Sequence, residues 1–191
     1  MSFVRHLLMH MFGRPKGLLG WLGGLIMARA NRDAAVQAVE ILDVRPDDNV
    51  MEVGFGPGIA IQLLSERAPG GWIAGVDQSQ EMIKQAAARN SDALRNRSVD
   101  LRYGSAERLP FADETFDKVL AINSMQVWSD VRAGLREIHR VMKHGGKVAL
   151  CFTVNSGQPK KGIAEHLATA GFVQAQIVDR SKLFCAIATR P

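Results

Sequence analysis

The sequence has no acidic residue before Asp33, no cysteine–histidine metal spacing and no apolar run of membrane-spanning length. Each absence excludes something. Arg5, Arg14, Lys16, Arg29 and Arg32 precede the first carboxylate. Setting those five aside leaves 19 basic residues against 19 acidic ones, so the net charge of +5 belongs to the N-terminal arm. The neutral remainder argues against a nucleic-acid-binding face. Cys151 and Cys185 lie far apart in apolar, strand-like runs without a C-x-x-C spacing, and a reduced cytoplasmic setting is the default. His6 and His10 share a helical spacing, but no third ligand accompanies them, so no metal is expected.

The apolar run Leu18 to Ala28 is interrupted by Gly20, Gly23 and Gly24. It is shorter than the roughly 20 residues a transmembrane helix needs. A leader peptide is not the expected reading of this segment. Residues 1–32 read as a helical arm broken at Gly13-Arg14-Pro15. The arm either covers a ligand as a lid or touches a membrane interface as an amphipathic element. No internal repeat or low-complexity tract is present. A chain of 191 residues with 47% hydrophobic content supports one cored domain, residues 33–191.

That domain is organised around Asn49 to Ile61, NVMEVGFGPGIAI. Val50, Met51 and Val53 read as a buried strand, followed by a glycine turn and the first turn of a helix. Glycine removes side chains, so backbone N–H groups approach a ligand closely. The spacing of Gly54, Gly56 and Gly58 is G-x-G-x-G, preceded by Glu52. A dinucleotide fingerprint needs its third glycine at position 59, which is Ile59.

The flanking chain reads as alternating helices and strands. Asn31 or Asp33 caps a helix running to about Leu42. A second helix covers Ile59 to Ala68, and Trp72 to Val76 is a strand ending in Asp77, nineteen residues beyond Gly58. An acidic residue there can accept both hydroxyls of a ribose. Ser79 opens the next helix with an imperfect capping box. Strands are predicted over Val99–Tyr103 and Phe116–Asn123, with the loop Asn123 to Asp130 at the carboxyl end of the latter. An amphipathic helix over Val131–Met142 is stopped by Gly145-Gly146, and a buried strand spans Lys147 to Phe152. A helix from Ile163 to Ala170 and a hairpin of Phe172–Val178 with Leu183–Thr189 close the chain.

Taken together, several of these segments resemble the class I S-adenosylmethionine-dependent methyltransferases. Glu52-Val53-Gly54-Phe55-Gly56-Pro57-Gly58 is similar to their motif I, and Gly75-Val76-Asp77 to their acidic second-strand end. The run from Gly104 to Phe111, then Phe116-Asp117-Lys118-Val119 and Leu135 to Lys147, resemble the type 11 subgroup that includes ubiquinone- and menaquinone-biosynthesis methyltransferases.

The resemblance covers roughly Asp33 to Pro191. It implies a Rossmann-like three-layer α/β sandwich with a seven-stranded, mostly parallel sheet in order 3-2-1-4-5-7-6, the last strand antiparallel. It also implies S-adenosylmethionine as cofactor. By matching positions, Glu52, Gly54, Gly56 and Gly58 belong to the loop bordering its methionine part, and Asp77 holds the ribose diol. Gln78 and Met82 lie beside the adenine, Ala106 and Glu107 at its edge, and Asn123 on the sulfonium side. Ser105 stands where many relatives carry Asp. Met125-Gln126-Val127-Trp128 stands where relatives often carry histidines.

Methyl transfer from a sulfonium is an in-line displacement, for which the protein mainly aligns the partners and excludes water. No acid/base pair is assigned, and His139 and His144 fall at the wrong end of the sheet. Gln126 and Trp128 are the candidates for touching the acceptor. The expected acceptor is small or amphiphilic: quinone-like, lipid or another secondary metabolite. A cofactor-binding protein without catalysis and a nicotinamide oxidoreductase are the alternatives.

Overall fold

A computed structural model describes residues 32–154 and 156–191. Strands β1 (Val50–Val53), β2 (Ile73–Asp77), β3 (Val99–Tyr103) and β4 (Phe116–Ile122) are parallel neighbours around β1. Strand β5 (Met142–Thr153) pairs parallel to β4, whereas β7 (Leu183–Thr189) is antiparallel to both β5 and β6 (Val173–Asp179). The sheet order is β3-β2-β1-β4-β5-β7-β6, as the family resemblance implied.

Both faces of this sheet are covered, so its central strands are apolar on both sides rather than alternating. On one face lie α1 (Arg32–Leu42), α2 (Ile59–Arg67) and α3 (Gln80–Arg89), whose Ala38, Leu42, Ile61, Leu64 and Ala86 cover Val50, Ile73 and Leu120. A short helix, α4 (Ser91–Arg95), follows α3 and was not predicted. On the other face, Leu135, Ile138 and Val141 of α5 (Val131–Val141) and Ile163 and Leu167 of α6 (Ile163–Thr169) cover Met51, Val119, Val148 and Phe152.

Helix α1 runs opposite to β4. The ammonium of Lys118, near the amino end of β4, donates to the carbonyls of Leu42, at 3.2 Å, and of Asp43 at the C-terminus of α1. Further back along the helix, Gln37 bonds Ser181 and the Lys182 N–H in the β6–β7 turn. Arg32, the first residue of α1, therefore lies toward the carboxyl end of the parallel strands.

Three expectations are corrected. Asp33 lies inside the first turn of α1 rather than capping it, and Asn31 falls outside the described residues. The helix α5 stops at Val141, and Gly145-Gly146 belong to β5. Met142 already pairs with Phe116, and the register slips between Phe116 and Lys118, where Gly145 (φ 76°) bends the strand. Finally, Cys151 and Cys185 are joined in a disulfide. The antiparallel register of β5 and β7 sets them directly opposite, with Cα atoms 4.0 Å apart, although 34 residues separate them in sequence.

Candidate active site

The glycine loop at the end of β1 is a run of left-handed backbone: φ is 76° at Gly54, 51° at Gly56 and 77° at Gly58. Only glycine adopts these values without steric cost. The three glycines have different neighbours. A Cβ on Gly54 would lie 2.4 Å from the Cβ of Ser124, whose hydroxyl donates to the Val53 carbonyl at 2.6 Å. A Cβ on Gly58 would lie 2.6 Å from the Cβ of Ala86 in α3. A Cβ on Gly56 would meet nothing within 4 Å. Two of the glycines thus permit close packing, and Gly56 faces open space.

Below the loop lies Glu52, buried in β1. The Ile61 N–H, in the first turn of α2, donates to its carboxylate, while Oε2 has no partner among the described residues. Burial lifts its pKa well above the ordinary carboxylate value, and the neighbouring Asp77 adds to the rise. Asp77, half-buried at the end of β2, accepts the Gly56 N–H on Oδ2 at 2.9 Å and the Ser79 N–H on Oδ1 at 2.8 Å. Burial raises its pKa too, against these hydrogen bonds. The Gln78 N–H also bonds this carboxylate, so three of its roughly four acceptor positions are taken by backbone and the remainder is left for a ligand hydroxyl. Ser79 does cap α3, accepting the Met82 N–H at 3.3 Å. Gln78 is exposed beside it and Met82 is buried.

The loop after β3 meets the loop after β4. Glu107 accepts the N–H groups of Ser129 at 2.7 Å and Asp130 at 3.2 Å. Burial opposes its ionisation, but these N–H groups, its own and the Ser105 hydroxyl outweigh it and hold the carboxyl below the ordinary value. Ala106 is buried close to Trp128, whose ring packs so near Gly134 that a Cβ there would come within 2.8 Å. Gln126, by contrast, is exposed. Asn123 (φ 50°) turns its side chain to Thr153, accepting its N–H at 2.9 Å and donating to its hydroxyl at 3.0 Å. Glu52, the glycines and Asp77 therefore converge, as do Ala106, Glu107 and Trp128, while the Asn123 amide is directed at β5.

Sequence reasoning missed the residues that hold these loops. Asn90 and Arg89 grip the glycine loop from α3. Glu137 accepts the Leu109 N–H, and Arg140 donates to the carbonyls of Leu109 and Phe111, clamping the loop after β3. Gly75 leaves room for Phe55, since a Cβ there would lie 2.5 Å from that ring. No local pattern marks any of these as a loop support. His139 packs on Phe172 and His144 pairs with Glu114, both away from the loops.

A family profile described as a methyltransferase domain matches residues 51–150. The chain belongs to that methyltransferase family. It is 32% identical over 158 residues to the uncharacterized methyltransferase YdaC of Bacillus subtilis, covering 83% of this chain and 82% of that one. A demethylmenaquinone methyltransferase of Corynebacterium kroppenstedtii is 37% identical over 110 residues, which are 58% of this chain and 44% of that one. The fold is also that of a SAM-dependent methyltransferase from Aquifex aeolicus, with a TM-score of 0.71 at 19% identity over 82% of this chain and 89% of that one. This methyltransferase is accordingly an enzyme that uses S-adenosylmethionine. The antiparallel β7 sets its sheet apart from an ordinary dinucleotide fold. Among the described residues no cluster suited to a metal ion occurs, and no helix is long and apolar enough to cross a membrane.

Proposed function

We propose that this methyltransferase acts on a small amphiphilic acceptor, quinone-like or lipid-like, which approaches over the carboxyl ends of β4 and β5. The observation that carries this reading is apolar surface at that rim. Val127 is 45% exposed in the loop after β4, and Val154 is 72% exposed just beyond β5. The likeness to a demethylmenaquinone methyltransferase supports it.

Two features suit S-adenosylmethionine at the glycine loop. Gly56 leaves room for the methionine part, and the unpartnered Oε2 of Glu52 is a buried acceptor close to the loop. Asp77 takes the ribose diol on its carboxylate. Gln78 and Met82 flank the adenine, and Ala106 and Glu107 line its edge. When bound, the cofactor supplies an already activated sulfonium methyl. The chain's contribution is alignment and exclusion of water: the Ser124 hydroxyl fixes the β4 loop against β1, and Asn123 lies on the sulfonium side. Gln126 and Trp128 are proposed to meet the acceptor. Residues 1–31, basic and acid-free, precede Arg32, which lies at the same rim, and are proposed as its lid.

Labelled S-adenosylmethionine, incubated with an extract divided into lipid and aqueous pools, tests the acceptor class. Label entering the lipid pool is expected, and label confined to the aqueous pool defeats the reading. Removing residues 1–31 should reduce turnover while S-adenosylhomocysteine binding survives. Asp77→Ala should weaken that binding at least about tenfold, a loss of ~1.4 kcal/mol.

A further inference from the structure

The rim formed by the ends of β5, β6 and β7 carries an excess of exposed basic side chains that the cofactor site does not use. Lys160, Lys161, Arg180 and Lys182 are all exposed there, against two nearby anions, Asp179 and Glu165, the latter with its carboxylate beside Gly162. Asp179 is already paired with Lys160, whose ammonium lies 5.4 Å from the centre of the Phe184 ring. Lys161, Arg180 and Lys182 form no ion pair among the described residues. Residues 1–31 and Asn155 contain no carboxylate side chain that could neutralise them. Three cations without an ion pair among the described residues therefore share one end of a domain whose charges balance as a whole.

Val154 lies beside them. Its N–H donates to the Lys182 carbonyl at 3.3 Å, and its side chain is 72% exposed. A lone exposed valine is unremarkable, but one bordered by cations on the rim of the active site has the composition of an interfacial contact. We propose that this rim docks on an anionic lipid surface and so brings the enzyme to an amphiphilic acceptor. That purpose rests on the acceptor class proposed above. Single-stranded nucleic acid fits less well, because the exposed apolar group here is aliphatic, and base stacking needs aromatic faces. Among the described residues, the exposed large aromatic is Tyr103, which ends β3 at the opposite side of the sheet.

The test is flotation of the full chain with vesicles of phosphatidylcholine alone or mixed with phosphatidylglycerol, at low and high salt. The enzyme is expected on the mixed vesicles only, with binding lost as salt rises. Each cation near such a surface is worth roughly fivefold in partitioning, so Lys161→Glu/Lys182→Glu should lower it at least ~20-fold. Val154→Asp should lower it several-fold. Unchanged S-adenosylhomocysteine binding shows that each variant is folded. The arm variant Arg5→Glu/Arg14→Glu, which changes the charge by the same amount, should lose less than the rim double variant, and an equal or greater loss overturns the assignment to the rim. Wild-type partitioning by Lys161→Glu/Lys182→Glu overturns the proposal, as does tighter binding to a single-stranded oligonucleotide than to vesicles. The acceptor reading fails separately, through turnover confined to the aqueous pool.

Discussion

The side-chain amide of Asn90 donates to the carbonyl of Gly58 at 3.1 Å and to that of Ala86 at 2.8 Å, tying the last turn of α3 to the glycine loop. Beside it, the Arg89 guanidinium donates to the Pro57 carbonyl at 3.0 Å. Two consecutive loop carbonyls are thus held from one helix end, which fixes which way the loop turns.

Asn90→Ala leaves the Gly58 and Ala86 carbonyls without this donor in a buried position, a loss of about 1–3 kcal/mol. Asn90→Asp sets a carboxylate against both carbonyls and is expected to cost more. Urea unfolding measures the stability, and calorimetry with S-adenosylhomocysteine the site. Both variants should bind more weakly, Asp worse than Ala. Equal affinity in all three proteins would detach Asn90 from the loop's function.

Gly56 and Gly58 should respond differently to alanine. Both pay left-handed strain of roughly 1–2 kcal/mol. Gly58→Ala also collides with Ala86 and Asn90, adding ~1–3 kcal/mol of overpacking, so it should mainly unfold the protein. Gly56→Ala meets no protein atom, so most of its effect should fall on cofactor affinity, at least about tenfold. Undiminished affinity in Gly56→Ala would mean that the open side of this glycine is not where the cofactor lies.

Glu52 and Asp77 predict a pH dependence. Burial raises both carboxyls in the folded state. Such groups hold their protons more tightly when folded, so their stabilisation is full below the ordinary value, 4.5 for Glu52. It is lost as pH rises through the folded value. The thermal midpoint of ligand-free enzyme should fall with rising pH more steeply than that of Glu52→Gln. Each ~1 kcal/mol appears as about 2–4 °C for a domain of this size. Binding of the cationic cofactor favours the ionised carboxylates, so its affinity should climb with pH in the wild type and less in the variant. Parallel midpoint curves would assign the titration to other groups.

Lys118 is a structural contrast. Its buried ammonium holds the C-terminus of α1 and lies 3.4 Å from Asp48, at the end of the sheet away from the glycine loop. Lys118→Met should lose about 1–3 kcal/mol in urea unfolding. S-adenosylhomocysteine affinity should stay within about twofold, which a calorimetric titration at a temperature where the variant is folded would check.

Much of the fold was legible because its signals are short-range. The apolar stretch Val50 to Val53, the glycines after it and the acid at Asp77 lie in single continuous segments. Each registers hydrophobic period or backbone freedom without reference to a distant residue. The C-terminal hairpin was equally plain from two apolar runs around Asp179-Arg180-Ser181-Lys182. The end of α5 was misread because Gly145 and Gly146 serve as helix stops or strand bends equally well. Pairing of Met142 with Phe116 decides between the two.

Sequence alone determined the order of strands and helices, the nucleotide-type loop and the acid at the end of β2, since these depend on neighbours along the chain. Only the tertiary structure decided which glycine faces open space, that Cys151 meets Cys185, and that Asn90 and Ser124 hold the loop. Asn90 lies 32 residues from Gly58, and Ser124 lies 71 from Val53. Contacts across such separations are set by strand register and helix packing, which no local spacing encodes.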